Sequence, residues 1–255
     1  MITAYYRPQT LDEALNLLSR SDKRMAPAGG GTALHSLGPD PVGVVDLQAL
    51  NLNHVEQRGN QIVLGATLTL QAMGELVELP SALRTAIQRE TSYNLRQAGT
   101  VAGTLVACDG RSPFAAAMLA LDAQLTIVSA SDQAGEGIAL GELLPLRQTK
   151  LAKRLITQVT IPSHVSLDLE MVARTPADWP IVGVAVASWP SGRTRITLIG
   201  FGKLPRLAMD GPEPGGAAEA VQFAYSMASD EWASAEYRTA TATILVERIM
   251  HRLGN

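Results

Sequence analysis

Three consecutive glycines stand in MAPAGGGTALHSLG, residues 25–38, just after a short apolar run. No β-carbon covers the backbone there, so the chain can bend tightly and other atoms can approach it closely. A second segment, NLRQAGTVAGTLVACDG at residues 94–110, repeats the small-residue and hydroxyl chemistry. These two segments constrain the fold most. The first matches neither of two familiar phosphate-binding patterns. A dinucleotide fingerprint begun at Gly29 would need glycine at Leu34, and a P-loop would need Gly-Lys-Ser/Thr downstream. What remains is a run of amides at 29–33 with the Thr32 hydroxyl, either an anion-binding nest or an ordinary turn. Residues 99–104 read the same way, as a second cradle followed by a helix or as a clearance point in helix–strand packing. Two such cradles suit a pyrophosphate-containing ligand held between subdomains.

Local patterning supplies the surroundings. Thr10 with Glu13 three residues later marks a helix start, and Leu11, Ala14, Leu15 and Leu18 share one face of that helix. MAPA and GVVDLQAL are short strands, so the first fifty residues form a β–α–β-like unit. QIVLGATLTLQAMGEL alternates as a strand, with Ile62, Leu64, Leu68 and Leu70 inward and Thr69 capping the helix that begins near Leu70. A helix is expected from Ser81 towards Tyr93. Another opens at Pro113 and passes into a strand near Leu125. LITQVTIP is a strand closed by Pro162, and PIVGVAVASWP and TRITLIGFG are two strands joined by PSGR. Helices at 216–227 and 233–253 finish the chain. The fold class is α+β, with three subdomains at 1–55, 56–165 and 166–255.

Composition removes several function classes. Net charge is −3 and aromatic residues make up 4%, so neither a basic footprint nor a base-stacking platform for nucleic acid exists. Cys108 is the single cysteine, which excludes an intrachain disulfide and any iron–sulfur cluster held by this chain alone. The opening MITAYYRPQT lacks the pattern of a signal peptide, and no apolar run is long enough to insert in a membrane. A cytoplasmic location is expected. His35, His54, His164 and His251 have no ligand spacing, so no metal site is expected. Cys108 reads as a small apolar residue, Asp122 as a cap and Arg238 as a structural anchor. Asp109 and Arg111 belong either to a cofactor contact or to a surface turn.

The order of motifs resembles the FAD-binding medium subunit of molybdenum hydroxylases, the family of the carbon monoxide dehydrogenase flavoprotein and the xanthine dehydrogenase flavin domain. The resemblance rests on YRPQTLDEALNLL, AGGGTAL, LRQAGTVAGTL, AMLALDAQLTI, LITQVTIP, ARTPADWPIVGVAVA and SAEYRTATATILVERIM, in that order. It implies two α+β subdomains sandwiching FAD and a C-terminal subdomain with a three-stranded antiparallel sheet and helices. It also implies which residues hold the cofactor. Ala28, Gly29, Gly30, Gly31, Thr32 and Ala33 match the first pyrophosphate segment. Gly99, Thr100, Val101, Gly103, Thr104 and Leu105 match the second, and Leu155 and Ile156 match a strand that approaches the flavin ring.

Three departures accompany the resemblance. Ala102-Gly103-Thr104 stands where the family usually has Gly-Gly-Asn, and Pro113 stands where it usually has an aspartate used by FAD. No lysine lies between Lys153 and Lys203, where one often precedes the arginine matching Arg174. Two lost hydrogen bonds at roughly 1 kcal/mol each weaken FAD binding about thirtyfold, and Arg111 and Ser112 are the residues placed to compensate. The implied function is an oxidoreductase subunit of a heterotrimer, with an iron–sulfur small subunit and a molybdopterin large subunit as partners, passing electrons through FAD to an acceptor. It would not turn over substrate alone. The alternative is a degenerate relative serving as a scaffold or assembly protein.

Overall fold

The computed structural model describes residues 1–254. The elements run in chain order β1 (Ile2–Tyr6), α1 (Leu11–Ser19), β2 (Met25–Ala28), β3 (Val42–Asp46), β4 (Val55–Arg58), β5 (Gln61–Gly65), α2 (Leu70–Gly74) and α3 (Ser81–Glu90). Then come α4 (Tyr93–Arg96), α5 (Val101–Ala107), α6 (Pro113–Ala120), β6 (Gln124–Ser129), β7 (Asp132–Ala139), α7 (Leu140–Lys150) and β8 (Arg154–Pro162). The chain finishes with β9 (Ser166–Val172), β10 (Val182–Ser188), β11 (Thr194–Ile199), β12 (Arg206–Gly211), α8 (Ala217–Tyr225) and α9 (Ala235–Leu253).

These elements form two compact, interleaved units. Unit 1 is Met1–Met73, Tyr93–Ala107 and Gln124–Thr160. Unit 2 is Gly74–Ser92, Cys108–Ala123 and the chain from Ile161 onward. In unit 1, β1, β3 and β2 make a parallel three-stranded sheet in that spatial order. The central strand β3 is buried along its whole length, as a parallel strand between two neighbours should be. Helix α1 starts where the Glu13 amide donates to Thr10 Oγ1 at 3.2 Å and the Gln9 amide donates to the Glu13 carboxylate at 2.8 Å. Its Ala14, Leu15 and Leu18 pack with Val45, Leu47, Val128 and Leu155. A second sheet of unit 1 has the order β4-β5-β8-β6-β7.

Unit 2 is built on an antiparallel sheet in the order β12-β11-β10-β9. One face, carrying Val182, Val184, Val186, Ile196 and Leu198, packs against Val221 and Tyr225 of α8 and Ala242, Leu245, Val246 and Ile249 of α9. The other face receives α6, whose Ala116 carbonyl accepts from the Thr197 hydroxyl at 2.8 Å. Every residue of α6 is buried, which explains why its sequence has no polar stripe. Arg238 of α9 is fully buried and donates to the carbonyls of Ile181, Ala228, Ala233 and Gly200 and to Asp230. The anchoring role read from the sequence is the one observed.

Four expectations need correction. The strand begun at Gln61 ends at Gly65, and Val63 is buried beside Ile62 and Leu64 because the strand lies inside a sheet rather than on its surface. Helix α3 stops at Glu90, with Tyr93–Arg96 a separate turn. The helix expected after the second glycine segment begins within it, at Val101. The C-terminal sheet has four strands, because SLDLEMV and RLAMDG also pair. In SLDLEMV the alternation that buries Leu167 and Leu169 was a strand signal the sequence reading passed over, whereas RLAMDG has no buried position to mark it.

Candidate functional site

Strand β2 runs directly into the first glycine segment. The Ala28 carbonyl still accepts from Leu47 N at 2.9 Å, and beyond it the chain leaves the sheet. Gly31 takes φ +74°, a conformation that favours glycine. A short 3-10 turn at Leu34–Leu37 follows, and the His35 ring donates through Nδ1 to the Thr32 carbonyl at 3.0 Å. Among the described residues, the amides of Gly29, Gly30, Gly31, Thr32 and Ala33 have no protein acceptor. Five successive donors with no protein acceptor, over residues that are half-buried or exposed, make a row of amides that an anion can approach.

The second segment lies against the first. A β-carbon on Gly30 would fall 1.6 Å from the Ala98 carbonyl oxygen, and one on Gly29 would fall 2.6 Å from Thr100 Oγ1. The sequence reading that joins these two segments is thus matched by backbone contact within unit 1. Their chemistry differs, however. Gly99 N donates to Leu95 O at 2.7 Å, Val101 N to Leu68 O at 2.8 Å and Ala102 N to Ala66 O at 3.2 Å. Gly103 N donates to Thr100 Oγ1 at 3.2 Å and Thr104 N to Thr100 O at 2.9 Å. These amides are spent inside the protein. A second amide cradle is therefore absent from 101–104, and the segment offers the Thr100 and Thr104 hydroxyls instead. Leu105 is buried on α5.

The remaining sequence candidates are distributed unevenly. Leu155 and Ile156 are buried on β8, and the Leu155 side chain belongs to the core around α1, so only its backbone is open to another role. Arg111 sits in unit 2, with its guanidinium 4.6 Å from the Trp232 ring centroid and 3.4 Å from Asp230. Arg174 lies at 4.6 Å from the same ring. Ser112 cannot compensate for the missing aspartate. It caps α6 through Ala115 N at 3.0 Å and its own hydroxyl donates to Glu90 at 2.8 Å. Asp122 pairs with Arg193 and Arg195 just beyond α6, and Cys108 is buried. Among the described residues no group of His, Cys, Asp and Glu is gathered that could hold a metal ion.

Glu90 was missed in the sequence. It accepts from Ser112 Oγ and from Phe114 N at 3.0 Å, and burial pushes its carboxyl up to about 7. A signal existed: Ala82, Leu83, Ala86 and Ile87 define the buried stripe of α3, and Glu90 continues it. A cleft of about 650 Å³ lined by Tyr5, Arg7, Asn16 and Arg20, among others, includes none of the glycine-segment residues. The glycine site gathers no acid–base pair and no nucleophile. It is suited to binding a phosphate-bearing group, and the five free amides fit the pyrophosphate of FAD.

Comparison with known proteins agrees with this chemistry. Residues 1–164 match the family described as the FAD binding domain in molybdopterin dehydrogenase. The chain is 28% identical to the carbon monoxide dehydrogenase medium chain of Afipia carboxidovorans, over 97% of this chain and 95% of that one. It is 27% identical to YgfM of Escherichia coli (strain K12), over 78% of this chain and 75% of that protein. Its fold resembles that in the crystal structure of quinoline 2-oxidoreductase from Pseudomonas putida 86, with a TM-score of 0.80, 21% identity and coverage of 98% and 95%. The chain belongs to the FAD-binding domain family of molybdopterin dehydrogenases.

Proposed function

We propose that this chain is the flavin-carrying electron-transfer subunit of a multi-subunit molybdenum-containing dehydrogenase in the cytoplasm. The observation that carries the reading is the row of five unpaired amides at 29–33, bounded by 98–100. In this reading those amides and the Thr32 hydroxyl hold the pyrophosphate, and the Thr100 and Thr104 hydroxyls add donors from the second segment. Ala28, Gly99, Val101, Gly103 and Leu105 shape the surrounding backbone, and the backbone at Leu155 and Ile156 borders the cofactor. Bound FAD supplies the redox chemistry, while the protein positions it and sets its surroundings. An iron–sulfur small subunit and a molybdopterin large subunit complete the assembly in this reading, since a single cysteine cannot ligate an iron–sulfur cluster and the flavin's electrons must then come from another chain.

Titration of the purified chain with FAD and with riboflavin tests the site. The expected result is a yellow complex with FAD and far weaker binding of riboflavin, which lacks the pyrophosphate. Thr104→Val should weaken FAD about fivefold to tenfold, the effect of one lost hydrogen bond. The second reading, a scaffold without flavin, is favoured by the spent amides at 101–104 and by Pro113. It becomes the better one if FAD does not bind and the chain still co-purifies with the two partner subunits.

A further inference from the structure

Segment 93–107, which carries the second glycine stretch, is an excursion of the chain. The polypeptide leaves unit 2 after Ser92, contributes Tyr93–Ala107 to unit 1 and returns at Cys108. Its returning end is fixed on the unit 2 sheet connection, where Gly110 N donates to Gly202 O at 3.0 Å and Gly200 N donates to Gly110 O at 2.7 Å. No side chain fits there, since a β-carbon on Gly110 would fall 2.0 Å from the Phe201 carbonyl oxygen. Its leaving end is tied to the same place by Glu90, at the last position of α3. One carboxylate oxygen, Oε2, receives both Ser112 Oγ and Phe114 N.

This clasp has unusual electrostatics. Glu90 is buried, and no cation reaches it within ion-pair distance among the described residues. Its other oxygen has no protein donor among them. The groups around it do not supply the missing charge. On α3, Arg84 is turned to the Leu76 and Val77 carbonyls and Arg89 to Pro176 O. Helix α6 carries no charged residue. The turn before it holds the buried Cys108, then Asp109, whose negative charge opposes ionisation, then Arg111, which is engaged with Asp230 and Trp232. On β9, which also packs against α3, Asp168 and Glu170 are paired with Arg252 and Arg248 of α9. The two donors favour the carboxylate, but burial and the charge of Asp109 outweigh them, so the neutral acid, whose carbonyl-type oxygen still accepts from both, is the form this place prefers.

We propose that Glu90 is a positioning residue for the cofactor site, a clasp that closes the base of segment 93–107 when protonated and loosens it when ionised. This rests on the flavin reading above, because that segment supplies donors to the cofactor. The sign follows from linkage. Glu90 binds its proton more tightly in the closed clasp than in water, so raising the pH favours the open one.

The test is FAD affinity and amide hydrogen exchange of 93–107, each measured from about pH 6 to about pH 8.5 on the whole chain. The wild type should lose at least about threefold in affinity across that range, and exchange corrected for its intrinsic rate should speed up in 93–107. Glu90→Gln keeps the acceptor without the charge, so it should hold the low-pH affinity and slow exchange throughout. Identical pH profiles in the wild type and Glu90→Gln would overturn the clasp. So would pH-independent exchange of 93–107 in the wild type, which needs no variant to fold. If FAD binds at no pH, the flavin reading fails, while the exchange comparison still decides whether the clasp exists.

Discussion

Single positions carry sharply different burdens in this molecule. Gly30 has the Ala98 carbonyl where a β-carbon would stand, so Gly30→Ala must push two backbones apart. It should cost about 2 kcal/mol or more and reduce FAD binding through misfolding of the site. Gly31→Ala meets only Leu34 Cδ1 at 3.4 Å and pays about 1 kcal/mol for its φ of +74°. Denaturant midpoints of the two variants should separate accordingly. Arg238→Ala strips donors from four carbonyls, two of them buried, and from Asp230, and about 3–5 kcal/mol of destabilisation is expected in calorimetry. Glu90 gives a pH signature. Its carboxyl has an ordinary value of 4.5 when unfolded and about 7 when folded, so the wild type loses stability as pH rises between these values. Glu90→Gln should remove that slope and be the more stable protein at about pH 8 by roughly 2 kcal/mol, with the advantage shrinking at low pH. Urea unfolding at several pH values checks it, and a parallel slope in both proteins would count against the assignment.

Among elements, legibility followed whether an element's rules are local. Helix α1 was readable because Thr10 is a side-chain cap that accepts from the amide three residues on. The structure shows Ser234 capping α9 in the same way, a signal the sequence reading passed over. Ser234→Ala should therefore cost about 1 kcal/mol, seen as a lowered melting midpoint, with no effect on cofactor affinity. The glycine segments were readable as a pair because both lack side chains, and the contact at Gly30 and Ala98 matches that pairing. What local rules could not show was where the amides of Gly99 and of 101–104 go. Two of the acceptors, Leu68 for Val101 and Ala66 for Ala102, come from a different stretch of chain, so only the fold discloses that these amides are spent. Strand β12 escaped because its edge position leaves it without a buried residue, whereas β9 alternates Leu167, Leu169 and Met171 with polar residues and was legible by that period. Arg111 read as a cofactor contact or a surface-turn residue, because Trp232 and Asp230, which hold it, lie more than a hundred positions later in the chain, Asp230 by 119.

At the level of the whole molecule, the two units should respond separately. FAD at a hundredfold excess over its dissociation constant should add about 2.7 kcal/mol to whatever unit holds it. Exchange protection should then rise at 29–33 and in the rest of unit 1, whereas Arg238→Ala should lower protection chiefly in unit 2. Equal effects on both units would mean that they unfold together. The interleaving of these units also reaches beyond the finished fold to the way the protein is made. Helix α6 is wholly apolar and leaves the ribosome roughly 60 residues ahead of the strands β10 and β11 that cover it. Until then only α3 is available to it from its own unit, and the face that meets the sheet remains an adhesive stretch for several seconds of synthesis. A message truncated after residue 165 would leave that stretch uncovered for good. Such a product should partition into inclusion bodies or be held by chaperones, and for the same reason a gene-fusion breakpoint there should not yield a soluble half.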